Sequence, residues 1–84
     1  MNNQEIEALL VDYFEVVQAI LQLNFLLSQI QADIVRLSAE VNNQEEIDQL
    51  IQASFIIEQL ILQLTIILTL IQGEIVRQSD EYAA

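Results

Sequence analysis

The sequence predicts an all-α protein. The expected form is an antiparallel hairpin of two long, repeated helices, packed into a multi-chain helical bundle or a larger assembly. Three observations predict it. The chain of 84 residues contains no proline and one glycine, Gly73, so nothing in it breaks a long helix. Residues 6–41 align without a gap on residues 47–82, and 16 of the 36 aligned positions are identical. Apolar residues make up 54% of the chain, more than a single two-helix seam shelters.

The repeat organises everything else. Phe14, Gln18, Ile20, Leu21, Gln22 and Leu23 recur as Phe55, Gln59, Ile61, Leu62, Gln63 and Leu64. Elsewhere the change is conservative, as in Ser28/Thr69, Ala32/Gly73 and Asp33/Glu74. We read one helical unit present twice, repeat 1 over about 3–41 and repeat 2 over about 43–82, within a single protomer spanning 1–84.

The first helix is expected over roughly 3–40 and the second over roughly 44–80. Asn2-x-x-Glu5, Asn42-x-x-Glu45 and Asn43-x-x-Glu46 resemble capping boxes, in which a short side chain accepts from free backbone amides. Arg36 and Arg77 fall near the C-terminal ends, where a cation meets the negative end of the helix dipole. Ala39–Asn43 is long enough only for a tight reversal, and asparagine tolerates the left-handed backbone that such a turn requires. At ~1.5 Å per residue each arm is about 50–57 Å long.

On a helical wheel each arm has one broad aliphatic face, the expected core seam. It carries Leu9, Val16, Ile20, Leu23, Leu27, Ile30 and Ile34 in the first arm, and Leu50, Ile57, Ile61, Leu64, Leu68, Ile71 and Ile75 in the second. Polar stripes run elsewhere, with Gln18, Gln22, Asn24 and Ser28 matched by Gln59, Gln63, Thr65 and Thr69. These uncharged groups are expected to hydrogen-bond between helices and fix register. Ala32 and Gly73 leave room for neighbouring backbones to approach. Between the stripes lies further apolar surface, including Leu10, Phe14, Leu21 and Phe25, matched by Ile51, Phe55, Leu62 and Ile66. A helix apolar on two sides calls for two sets of neighbours.

The charges gather at the ends. Residues 16–32 carry none and residues 49–73 carry only Glu58. Folded antiparallel, these runs make a nearly neutral band about 25 Å long. A spanning helix needs about 20 largely apolar residues. Glutamines and Glu58 inside the band oppose insertion of a lone hairpin. Several hairpins could instead turn their glutamines toward a polar lumen.

With 13 acidic residues, two arginines and no lysine or histidine, the net charge is −11, which repels phosphate backbones and anionic headgroups. Without His, Cys or Lys the usual catalytic bases, thiolates and Schiff-base amines are missing. Asp12 with Glu15, and the turn acids Glu40, Glu45, Glu46 and Asp48, read as solvated or capping groups. Tyr13, Phe14, Phe25 and Phe55 read as packing anchors.

The expected function is therefore that of a structural, self-assembling protein: a homo-oligomer, filament, tube or shell protomer whose partner is itself. No catalytic activity, cofactor, metal, nucleic acid or small-molecule substrate is expected. The alternatives are a membrane-inserted hairpin oligomer or cation-conducting pore, and an acidic adaptor that binds a partner helix. The start, Met-Asn-Asn-Gln-Glu, lacks the basic and apolar regions of a signal peptide, so the cytoplasm is the default location. Membrane insertion and leaderless export are the other locations considered.

Overall fold

A computed structural model describes residues 3–83. It contains two helices, α1 (Asn3–Ser38) and α2 (Gln44–Ala83), packed against each other as a hairpin. The Cα envelope measures 65 × 14 × 12 Å, the shape of two rods lying side by side. The capping box starting at Asn2 lies outside the described residues.

The seam follows a strict alternation of three- and four-residue steps, the heptad spacing that keeps one face of a helix toward a coiled partner. In α1 the seam positions, a and d, are Ile6, Leu9, Tyr13, Val16, Ile20, Leu23, Leu27, Ile30, Ile34 and Leu37. In α2 they are Ile47, Leu50, Ser54, Ile57, Ile61, Leu64, Leu68, Ile71, Ile75 and Gln78. Every one of these residues, including the fourteen aliphatic seam residues read from the sequence, is buried or half-buried. The seam is longer than the aliphatic face read from the sequence: it adds Ile6, Leu37 and Ile47, which continue the same spacing toward the ends, and Tyr13, Ser54 and Gln78, which are not aliphatic.

Burial is nevertheless shallow. Among the described residues only Leu37 and Ile57 are buried apolar side chains, each 7% exposed, and no side chain is fully enclosed. The reason is geometric: two helices share one line of contact, and each seam residue remains open along a flank.

The reversal falls at 39–43 as expected, but the first helix ends earlier than 40 and the second runs beyond 80. α1 stops at Ser38 because the Ala39 and Glu40 amides donate to the Arg36 and Leu37 carbonyls at 3.3 and 3.0 Å, closing three-residue rather than four-residue steps. Asn42 then takes the left-handed conformation, with φ 70°. α2 begins as the Ile47 amide donates to the Asn43 carbonyl at 2.9 Å. The Asn43 side chain reaches backward, its Nδ2 donating to the Leu37 carbonyl at 3.5 Å and to Glu40 at 3.1 Å. It ties the turn to the end of α1, a different task from the amide-accepting cap expected of it.

The two arginines also differ in setting. Arg36 lies in the last turn of α1, whereas α2 runs on to Ala83 and leaves Arg77 well inside the helix. Arg77 serves chiefly as an ion-pairing residue, bonding Glu74 one turn before it and Glu81 one turn after it.

Candidate assembly surface

With a and d facing inward, each remaining heptad position has a fixed place. Positions b and f lie on the outer face of each helix, and e and g lie on the two flanks. A shallow groove lined by Leu10, Tyr13, Gln72, Ile75 and Val76 crosses one flank near the open end. Another, lined by Asp33, Arg36, Leu37, Glu46, Gln49 and Leu50, crosses the opposite flank near the turn. Leu10 and Gln72 are e residues, and Asp33 and Glu46 are g residues. The two helices therefore share an e flank on one side and a g flank on the other, as antiparallel pairing requires.

The outer face carries a second regular stripe. In α1 it runs Phe14, Gln18, Leu21, Phe25, Ser28, Ala32, Val35, again in alternating steps of four and three, and in α2 it runs Phe55, Gln59, Leu62, Ile66, Thr69, Gly73, Val76. Its eight large apolar members are all between 57% and 72% exposed. The phenylalanines are thus not anchors within the hairpin: Phe14, Phe25 and Phe55 face outward, and only Tyr13 packs at the seam. The Tyr13 and Phe14 rings meet edge to face at 5.8 Å. A built Cβ on Gly73 meets nothing within 4 Å, so this small residue leaves its stretch of α2 open.

The polar stripe residues Gln18, Gln22, Asn24, Ser28, Gln59, Gln63, Thr65 and Thr69 are all exposed. Several satisfy themselves within their own helix. Asn24 Nδ2 donates to the Ile20 carbonyl at 2.9 Å, Thr65 Oγ1 to Ile61 at 2.7 Å and Thr69 Oγ1 to Thr65 at 3.0 Å. Such back-bonding spares a hydroxyl from needing a partner on another helix. A side-chain bond that does cross the seam, Gln72 Nε2 to the Tyr13 hydroxyl at 3.3 Å, uses residues outside this set.

The charged groups are structural in their contacts. Arg36 pairs with Asp33 and Glu40 at 3.6 and 3.9 Å, all well exposed. Arg77 bonds Glu74 through two nitrogens and Glu81 at 2.7 Å. The Arg77 hydrogen bond, joined by one from Gln78, draws the Glu74 carboxyl down to about 2, and the same bond raises Arg77. Among the described residues no three acidic side chains gather closely enough to hold a metal ion.

The sequence reading missed the polar seam residues Ser54 and Gln78. Their signal was present: each is the repeat partner of a seam residue, Tyr13 and Leu37, in unbroken heptad register. Ser54 is 8% exposed and donates to the Ile51 carbonyl at 2.7 Å. Gln78, also 8% exposed, donates to Glu74, and its Oε1 is buried with no hydrogen-bond partner among the described residues.

Compared with protein families, curated proteins and solved structures, the chain matches none of them.

Proposed function

We propose that this chain is a structural protomer that associates with copies of itself, without catalytic activity. The supporting observation is the exposed outer stripe. It is regular, it is opposite the seam, and it appears on both helices at matching positions. Among the described residues seventeen large apolar side chains are exposed, too many in continuous rows for scattered surface residues. Because both helices present nearly the same stripe, one hairpin can meet another through quasi-equivalent contacts. Closed operations make a bundle or ring, and open ones make a filament, tube or sheet. Sedimentation velocity in detergent-free buffer tests the reading. Multimers with high helical content are expected at micromolar concentration, and a stable, folded monomer defeats the proposal.

A second reading, a membrane-inserted hairpin oligomer, draws on a separate observation. Each helix contains an 18-residue window of mean hydropathy 1.4 (α1) or 2.0 (α2), of which only 0% and 6% is buried. A core helix of a soluble protein hides such a window. The back-bonded Asn24, Thr65 and Thr69 suit apolar surroundings. Against insertion, Glu58 near the middle of the band costs about 2.5–3.5 kcal/mol on insertion scales, and the exposed glutamines add to that. Vesicle flotation separates the readings: a soluble assembly remains at the bottom of the gradient.

A further inference from the structure

We infer that the g flank is where a second copy of this chain docks, closing two hairpins into a four-helix bundle. The inference rests on the self-association proposed above and names its first interface.

A helix in a two-stranded coil needs apolar residues only at a and d. A helix in a four-helix bundle needs a third apolar position, e or g, toward the added neighbours. In the middle of this hairpin g is apolar on both helices, with Ala19 and Leu26 on α1 and Leu60 and Ile67 on α2. The e flank over the same stretch carries Val17, Asn24, Glu58 and Thr65, three of them polar. Leu26, Leu60 and Ile67 are 42–44% exposed, set between the seam and the outward stripe. They are where seam packing continues if another hairpin lies alongside. On α2 the patch widens to Ile56 and Leu70, where α1 has Glu15 and Gln29 at the matching positions, so α2 lies nearer the new interface.

Charge selects the same flank independently. A chain of net charge −11 resists meeting its copy, and it has only two cations with which to relieve that. Both arginines sit beside this flank, and they pair with its acids, Arg36 with Asp33 and Arg77 with Glu74 and Glu81. The acids of the g flank lie beyond its apolar centre, Asp33, Glu40, Glu74 and Glu81 paired with the arginines and Asp12 and Glu46 with neither, whereas the e flank has Glu58 at its centre and neither arginine on its side. A stable two-fold interface covers about 800 Å² per partner. That is roughly one-eighth of this hairpin's 6115 Å².

The test compares two double variants by sedimentation across a dilution series, with helical content followed by circular dichroism. Leu26→Gln with Leu60→Gln alters the g flank; Leu10→Gln with Ile51→Gln alters the e flank at residues of similar exposure, 40% and 36%. The smallest multimer of the unaltered chain is expected to be a dimer. The g pair should raise its dissociation constant at least tenfold, and the e pair should leave it within about threefold. If the g pair loses helix, Leu60→Ala replaces it, since α1 carries Ala19 at the matching position. Then a rise of at least threefold is expected. No effect at g, an equal or larger effect at e, or a smallest multimer of three chains overturns the g-flank interface and leaves self-association standing. An unaltered chain that is monomeric in buffer, or that is monomeric and floats with phosphatidylcholine vesicles, overturns both.

Discussion

Gln72 and Tyr13, 59 residues apart in the chain, are joined across the hairpin by a hydrogen bond from Gln72 Nε2 to the Tyr13 hydroxyl at 3.3 Å. The bond registers α2 against the first third of α1, next to the half-buried Tyr13 ring. It is solvent-exposed, so its net value is at the lower end of the usual range. Tyr13→Phe should cost about 0.5 kcal/mol, and Tyr13→Ala, which also removes the ring from the seam, about 2 kcal/mol or more. Urea unfolding at fixed chain concentration measures both. Equal losses in the two variants would show that the hydroxyl, not the ring, holds this end.

Gly73 has open space where a Cβ would stand, and α1 has Ala32 at the corresponding place. Gly73→Ala should therefore stabilise α2 by about 0.5–1 kcal/mol through lost backbone freedom in the unfolded chain. A raised melting temperature with unchanged sedimentation is the expected outcome. A smaller assembly instead means that a neighbouring backbone passes directly over this residue.

Gln78 holds an unpartnered buried oxygen at a seam position that Leu37 fills in the other helix. Gln78→Leu removes the stranded acceptor and adds apolar contact, at the cost of the Gln78 bond to Glu74. A net gain of about 1 kcal/mol is expected. Destabilisation would mean that the carbonyl oxygen is satisfied in the assembled protein.

Acid acts on the protein in two opposite ways. Glu74 is held down to about 2 by its bond to Arg77, so its contribution to stability is complete above its ordinary value of 4.5 and is lost as pH falls from there toward 2. Lowering the pH also reduces the net charge of −11, and with it the repulsion between copies. Assemblies should therefore grow on mild acidification or on adding divalent cations, with the Glu74 contribution declining only at lower pH. Light scattering checks the first effect. A flatter acid limb in Glu74→Gln unfolding curves checks the second. Larger particles at pH 8 than at pH 5 would contradict the electrostatic account.

Leu64 is a seam residue in the middle of α2, half-buried against α1. Leu64→Asp places a carboxylate there without a cation nearby and should cost several kcal/mol, enough to abolish the cooperative thermal transition. Unchanged melting would show that the seam lies elsewhere.

The aliphatic face was legible because its residues repeat at helical spacing in both halves, and Leu9 through Ile75 all fall on the shared seam. Ser54 and Gln78 were not, since a polar side chain gives no apolar signal and reveals its place only through register. The ends of the helices were misread by a few residues. Whether Ala39 and Glu40 continue α1 depends on which carbonyl their amides reach, and that follows from the left-handed Asn42 reversing the chain.

By itself, the order of residues determined that two long amphipathic helices would form, that they would reverse at 39–43, and that more apolar surface exists than one seam covers. Periodicity and composition suffice for this, because each helix is a local structure with a fixed angle between successive side chains. Only the packed hairpin decided which apolar residues remain uncovered and which flank gathers the g positions of both helices. Those are relations between residues distant in the chain, and they exist only once one helix has taken a particular rotation and register against the other.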